Sequence, residues 1–385
     1  MKIGILTQPL HNNYGGLLQN YALQQVLKRL GHEVETVDWM PASAGAIKTW
    51  SWRKKETLLS IVLKDREKPS YSLTDKEKEI ISRNTHRFIE RYISVCPFIA
   101  KNEKEFRSID EAHRYQAYVV GSDQVWRPNY NSFQTAMFLD FVDRKDVKRI
   151  AYAASFGTSA WEFTQQMTEE CALLARKFDL ITVREKSGVD LCREYLGVEA
   201  THVLDPTMLL DKGDYIKLVE NEHEPQSPGT LFHYILDPSE EKRHLIEQLA
   251  FKQGLQSFSI MPKCQAENRT KWDVKHRIED CVFPSVTSWL RGFMDAKMVI
   301  VDSFHGAVFS IIFNKPFWVI ANAGRGNARF ESLLGLFGLE DRMINLKNHS
   351  LNDWGLEIDW ERVNAIRERE KVRCALLIRD VLTNS

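Results

Sequence analysis

Met298-Val-Ile-Val-Asp302-Ser303-Phe304-His305-Gly306-Ala-Val-Phe-Ser310 decides how this chain is read. Met298–Val301 is a short β-branched run, and Ala307, Val308, Ile311 and Ile312 then recur at helical spacing, so a strand passes straight into a helix. Asp302, Ser303 and Gly306 suit the tight turn between them, because Ser and Asp cap helices and Gly lets backbone come close to a neighbour or a ligand. His305 falls at the junction. In open α/β sheets ligands bind beyond the carboxyl ends of strands, where helix N-termini offer N–H groups to anions. A histidine there is either a cap residue on a buried turn or a group placed for proton exchange, and its position favours the second.

The same alternation runs outward in both directions. Toward the N-terminus, strands are expected at Ile3–Leu6, Glu33–Asp38, Ala117–Gly121, Lys148–Ala154, Leu180–Val183 and Thr201–Leu204, with helices at Gly16–Leu30, near Trp161–Phe178 and at Lys186–Leu196. After Asp205-Pro206-Thr207 the polar stretch Asn221-Glu-His-Glu-Pro-Gln-Ser-Pro-Gly229 marks a boundary. A second alternation follows, with strands Thr230–Ile235, Gln256–Ser259 and Phe317–Ile320 and helices Ser239–Gln253, Ser288–Ala296 and Trp360–Leu382. The expected fold is α/β, two Rossmann-like domains facing each other across a cleft, residues 1–207 and 208–385, with an insert near 39–72 in the first and a long C-terminal helix in the second. The length of 385 residues agrees with two domains.

Composition narrows the function classes. Lys plus Arg and Asp plus Glu are 52 each, so no global basic field recommends nucleic acid, and any anion site is local. The six cysteines are scattered without a CxxC pair, which argues against structural zinc, and no cofactor or metal is expected. No charged segment followed by a long apolar run opens the chain and no apolar stretch is long enough to span a membrane, so a cytoplasmic protein is expected. The insert carries Trp50, Trp52, Leu58, Leu59, Ile61 and Val62 beside Lys48, Arg53, Lys54, Lys55 and Lys64. Such a stretch packs on its own domain, pairs subunits, or touches an anionic membrane at the inner face. Oligomeric state is not legible.

Four loops are expected to line the cleft. Asn12-Asn13-Tyr14-Gly15-Gly16 follows the first strand, and its glycines either make the turn or let backbone N–H groups surround a phosphate or a sugar hydroxyl; Gln19 and Gln24 follow in the helix. Gly121-Ser122-Asp123-Gln124-Val-Trp126 offers Asp123 as base or hydroxyl acceptor and Trp126 as a sugar-stacking ring, against a cap aspartate with a packing tryptophan. Arg184 stands at the end of a strand, where it grips an anion or pairs with a neighbouring acid. Asn322-Ala-Gly324-Arg325-Gly326-Asn327-Ala-Arg329-Phe330 reads as a glycine-rich loop closing over an anion.

Taken together, Gly121-Ser-Asp123-Gln-Val-Trp126, Val183-Arg-Glu185, Asp205-Pro-Thr207, Asp302-Ser-Phe-His-Gly306 and Arg329-Phe-Glu-Ser-Leu-Leu334 resemble, in this order, the polysaccharide pyruvyl transferases. The resemblance covers roughly residues 1–345. It implies a double-Rossmann architecture like that of the GT-B glycosyltransferases and transfer of the pyruvyl carbons of phosphoenolpyruvate to two hydroxyls of one sugar as a cyclic ketal. It makes His305 the catalytic acid/base and Arg184 a contact to the donor. The reading of the loops adds Asp123 to the catalytic pair, Ser303, Gly306, Arg325, Asn327 and Arg329 to the donor side, and Asn13, Tyr14, Gly15, Gly16, Gln19, Gln124 and Trp126 as the acceptor side. Relatives commonly carry a basic residue two positions before the histidine, where this chain has Ser303, so the resemblance leaves the donor's phosphate partner unassigned. The expected partners are phosphoenolpyruvate and a saccharide, lipid-linked or finished, in cell-surface polysaccharide or capsule synthesis. A nucleotide-sugar glycosyltransferase and a non-catalytic sugar-binding protein are the alternatives.

Overall fold

The computed structural model describes residues 1–40, 73–265, 270–321, 326–346 and 357–383. The first half runs β1 (Lys2–Leu6), α1 (Tyr14–Arg29), β2 (Glu33–Thr36), α2 (Asp75–Tyr92), α3 (Glu103–His113), β3 (Ala117–Val120), β4 (Lys148–Ala154), α4 (Gln165–Ala175), β5 (Leu180–Val183), α5 (Lys186–Leu191) and β6 (Thr201–His202). Its strands form one parallel sheet in the order β2-β1-β3-β4-β5-β6. The second half runs α6 (Lys212–Asn221), β7 (Leu231–Tyr234), α7 (Glu240–Gln253), β8 (Ser257–Phe258), α8 (Lys271–Arg277), α9 (Val286–Asp295), β9 (Met298–Val301), α10 (Phe304–Ile312), β10 (Phe317–Ile320), α11 (Ala328–Phe337), β11 (Met343–Ile344) and α12 (Trp360–Thr383). Its parallel sheet is ordered β11-β10-β9-β7-β8.

Strands such as Ala117–Val120 and Phe317–Ile320 are buried along their whole length. That is why they read as continuous apolar runs and not as alternating ones, since helices cover both faces of the sheet. The two Rossmann-like units are therefore present as expected, each with an apolar cluster of its own, but the largest core is shared between them. A single apolar core contains Ile3, Leu17, Leu18 and Val119 of the first half together with Phe232, Trp289, Val299 and Phe309 of the second. Tyr14, at the start of α1, is fully buried among Tyr234, Phe283 and Trp289, its ring centroid 6.1, 6.4 and 5.8 Å from theirs. The C-terminal helix α12, read with the second half, returns to the first. There Arg373 Nη2 donates to the His202 carbonyl at 2.7 Å, and the Leu204 N–H donates to Cys374 Sγ at 3.4 Å.

Helices α2 and α3 escaped the pattern reading because their charged faces dominate and only a narrow stripe is buried: Ile81, Thr85 and Phe88 in α2, Phe106, Ile109 and Asp110 in α3. α2 ties the halves together, with Arg83 bonded to Glu279, Arg87 to Glu222 and Asn84 Nδ2 to the Phe283 carbonyl. Of the insert near 39–72, Trp39 and Met40 are described. Trp39 is a core residue whose indole N–H donates to the Thr7 carbonyl at 2.7 Å. The tryptophans and lysines at 48–64 lie outside the described residues. Among the described residues no helix is long and apolar enough to cross a membrane.

Candidate active site

Each sheet has one place where its strand order reverses, between β1 and β3 in the first and between β7 and β9 in the second. Loops diverge at such switch points and leave a crevice. Here both crevices open on one cavity of about 310 Å³. Gln8, His11 and Asn13 reach it from the loop after β1, and Asp123, Gln124 and Tyr130 from the loop after β3. Leu236 comes from the loop after β7, Asp302, Ser303, Phe304 and His305 from the turn after β9, and Arg329 from the first turn of α11.

Two helices begin at this cavity. Asn13 caps α1 by accepting from the Gly16 N–H at 3.1 Å, and Ser303 caps α10 by accepting from the Gly306 N–H at 3.2 Å. Their first turns supply N–H groups and the positive ends of two helix dipoles to one volume. His305 is the second residue of α10, and its ring lies directly on the backbone of α1: a Cβ on Gly15 would come within 2.1 Å of His305 Nδ1. The glycine at 15 is thus the seat of the imidazole. On the ring's other side Nε2 is 3.6 Å from Asp205 Oδ2, too long for a hydrogen bond but close enough for charge to matter.

Asp205 is fully enclosed. Its Oδ1 accepts from Thr207 N–H and Oγ1 at 3.1 and 2.7 Å, and its Oδ2 accepts from Ser122 Oγ and Arg184 Nη1, both at 3.0 Å. Burial alone would push this carboxyl up, but His305, Arg184 and Thr207 outweigh it and hold Asp205 below the usual carboxylate range. Asp123 behaves likewise: burial is overcome by Arg184, His305 and Arg329, so it too stays ionised. Arg184 Nη2 donates to Asp123 Oδ1 at 2.7 Å.

That network corrects one expectation. The Arg184 side chain has no exposed surface, does not line the cavity, and stacks with its guanidinium carbon 4.5 Å from the Phe304 ring centroid. With both carboxylates on its Nη atoms and its side chain fully buried, Arg184 positions Asp123, Asp205 and Phe304 and does not reach the cavity. Asp123 is in turn a poor base, being ionised well into acid and committed to Arg184. Arg329 does line the cavity, but from within α11, where a glycine-rich loop was expected. Burial, reinforced by the like charge of Arg184, pushes its guanidinium down to about 10, so it stays charged at neutral pH while favouring an anion nearby.

Other expectations fail on packing. Trp126 is completely buried, stacked on Phe138 at 4.8 Å with its N–H on the Met137 carbonyl, and presents no face to a sugar. Gln19 donates to Thr7 Oγ1 and accepts from the Ser122 N–H, bracing the loops after β1 and β3, and Gln24 does similar work with Thr36 and Ser94. The Tyr14 hydroxyl donates to the Pro284 carbonyl. Gly306 is small because a Cβ would meet Val301 Cγ1 at 2.7 Å; it lets α10 lie on β9. Gly16 meets only Asn13 atoms, at 3.3 Å and beyond. Asn327 precedes α11 and does not line the cavity, and Arg325 lies outside the described residues. Asn13, Gln124 and Ser303 do line it.

Sequence reasoning missed His11, Gln8, Tyr130 and Leu236. His11 stands one residue before the quoted glycine loop, accessible to solvent inside the cleft, and its Nδ1 accepts from the Asn13 N–H at 3.3 Å. Desolvation by surrounding protein holds its imidazole below the usual value, with Asp123 opposing. Asp302 is neutralised by Lys242 Nζ at 2.7 Å and by the Leu236 and Asp237 N–H groups, so it offers substrate no free charge. Among the described residues a metal-capable cluster exists at Glu35, Cys96 and His113, but none of the three lines the cavity. There Lys2 Nζ is 3.4 Å from Glu35, and Tyr115 donates to the same carboxylate, so a cation is already in place.

The sequence model of a family described as polysaccharide pyruvyl transferase matches residues 13–324 of this chain. No curated protein sequence matches it. Among solved structures the chain is similar to the UDP-GlcNAc 2-epimerase of Methanocaldococcus jannaschii in complex with UDP-GlcNAc and UDP, at 10% identity over 100% of this chain and 99% of that one, TM-score 0.48. It is also similar to the glycosyltransferase SsfS6 of Streptomyces sp. SF2575, at 11% identity over 98% and 99%, TM-score 0.43. A third is the MurG of Acinetobacter baumannii, at 10% identity over 98% and 99%, TM-score 0.43.

Proposed function

Because this chain belongs to the polysaccharide pyruvyl transferase family, we propose that it moves the pyruvyl carbons of phosphoenolpyruvate onto two hydroxyls of one saccharide residue, forming a cyclic ketal, in the synthesis of a cell-surface polysaccharide. The observation that carries the reading is the placement of His305: it lines the cavity beside Arg329, between the N-termini of α1 and α10. Phosphoenolpyruvate brings a carboxylate and a phosphate. Two helix N-termini and one desolvated guanidinium are the kind of receptor that such an anion needs, and they stand in for the basic residue absent at Ser303.

The chemistry requires two protons to move. The first sugar hydroxyl adds to C2 of the enol while C3 gains a proton and becomes a methyl group. Phosphate then leaves with its bridging oxygen as the C2–O bond breaks, and the second hydroxyl closes the ring at C2. One hydroxyl proton balances the new methyl C–H and the other balances the departing phosphate. His305 exchanges these protons from its place on the cavity wall, with Asp205 Oδ2 3.6 Å from Nε2 to orient the ring. Arg184 acts through Asp205 and Asp123 and touches no reacting atom.

The test is phosphate release from phosphoenolpyruvate with a panel of oligosaccharide acceptors, run in D₂O, with the product's methyl group read by mass spectrometry and NMR. The expected result is acceptor-dependent phosphate release with one deuterium per new methyl group. His305→Ala lowers turnover about 10²–10⁴-fold. Undiminished turnover in that variant takes His305 out of the reaction, and a methyl group without solvent deuterium overturns the enol addition.

A further inference from the structure

We infer that Tyr130 is the platform on which the acceptor's pyranose ring stacks; the inference rests on the transferase reading for the identity of its ligand as a saccharide. Trp126, the ring that the sequence offered for this task, is sealed in the core. Tyr130 lies four residues further along the same loop, lines the cavity, and is 46% exposed, uncommon for so large a ring on a fixed turn.

The ring is held in place before any ligand arrives. Pro128–Tyr130 is a single 3₁₀ turn closed by the Tyr130 N–H on the Arg127 carbonyl at 3.0 Å, and Asn131 pins its far end by donating to the Val125 carbonyl at 3.0 Å and accepting from the Phe133 N–H at 2.8 Å. Arg127 is buried, its Nε 3.1 Å from Glu162 Oε2 and its Nη1 on Gln124 Oε1 at 3.3 Å, and its guanidinium carbon sits 4.8 Å from the Tyr130 ring centroid. The aromatic ring is thus backed by a cation that Glu162 neutralises, and Tyr130 is among the residues that line the cavity.

Ligand chemistry follows from that wall. Two of the residues that line the cavity with it, Gln8 and Gln124, are amides, which hydrogen-bond hydroxyls without selecting for charge. An apolar ring face rimmed by amides fits a hexopyranose, which shows C–H groups on a face and hydroxyls around its edge. An anionic donor prefers the other end, where the helix N-termini and Arg329 are. Tyr130 and Arg329 line the same cavity, which places the sugar platform and the donor end in one volume. Holding the ring still beforehand lowers the ordering cost of binding.

The experiment compares Tyr130→Ala and Tyr130→Phe with the wild type. Acceptor KM is expected to rise about tenfold or more in Tyr130→Ala and to stay near wild type in Tyr130→Phe, with phosphoenolpyruvate KM unchanged in both. Saturation-transfer NMR with a panel of methyl hexopyranosides, which needs no turnover, is expected to mark the C–H protons of one sugar face in the wild type and in Tyr130→Phe but not in Tyr130→Ala. An unchanged acceptor KM or an unchanged contact pattern in Tyr130→Ala overturns the platform, as does a wild type to which no hexopyranoside binds. Sugar contact that depends on Tyr130 in a protein that never consumes phosphoenolpyruvate overturns the transferase reading and leaves the platform standing. Turnover of phosphoenolpyruvate with unaltered acceptor kinetics in Tyr130→Ala does the reverse.

Discussion

Asn13-Tyr14-Gly15-Gly16 and Ser303-Phe304-His305-Gly306 are the same turn built twice, once in each half. Each opens a helix at a switch point with a polar cap that accepts from a glycine N–H three residues on, and each places an aromatic residue first in the helix. Each aromatic is lodged in the opposite half: Tyr14 among Tyr234, Phe283 and Trp289, and Phe304 beneath the Arg184 guanidinium. The turns differ at the second helical position. One has a glycine, the other the histidine that rests on it. The pair shows how a fold with two near-equivalent crevices yields one asymmetric site: one turn contributes the imidazole and the other the space in which it sits.

The largest effect is expected at that contact. Ala in place of Gly in a helix is ordinarily stabilising by up to about 1 kcal/mol, yet Gly15→Ala puts a methyl carbon inside the His305 ring and forces the imidazole away. Activity is expected to fall as far as in His305→Ala, about 10²–10⁴-fold, while circular dichroism stays native. Full activity in Gly15→Ala would break the comparison. Next come the two third-position glycines. Gly306→Ala drives Cβ into Val301 and is expected to cost about 1–3 kcal/mol in urea unfolding. For Gly16→Ala the nearest atoms are those of the cap side chain, at 3.3 Å and beyond, and the change is expected to be neutral or stabilising by up to about 1 kcal/mol. Equal losses at both sites would mean that the turns are not built as described. The caps sharpen the picture further: Ser303→Ala and Asn13→Ala are each expected to cost about 1 kcal/mol.

Acid separates the halves most gradually. Asp205 has its folded pKa depressed, so its contribution to stability is present above the ordinary carboxylate value of about 3.9 and is lost as pH falls through the lower folded value. Stability measured by urea unfolding is therefore expected to drop below about pH 4. Asp205→Asn should flatten that slope; an unchanged slope would assign the acid response to other carboxylates.

How much of this was legible in the sequence depended on what each residue's neighbours were. Lys148–Ala154, Leu180–Val183 and Phe317–Ile320 were read to the residue, because strands buried on both faces announce themselves without help from the rest of the fold. His305 and Arg329 were read as site residues and line the cavity. Arg184 was noticed for the right reason, a guanidinium at a strand end, but its partners Asp123 and Asp205 lie 61 and 21 positions away, and nothing local says that they take up its hydrogen bonds. Trp126 and Tyr130 share a loop, and which ring turns inward is decided by Phe138 and Met137, which no motif contains. His11 precedes the glycine turn and belongs to no motif, so nothing local marks it as a residue of the cleft.

The lodging of Tyr14 in the far half has a consequence for engineering. Many double-Rossmann proteins invite chimeras in which an acceptor unit is joined to a foreign donor unit, on the premise that the two are modules meeting at a wet seam. In this chain a graft at residue 208 would strip the Tyr14 phenol of its aromatic cage and of its hydrogen bond to Pro284, and would disturb the helix whose second residue seats the His305 ring. Transplanting specificity here means exchanging loops, because the halves are not interchangeable parts.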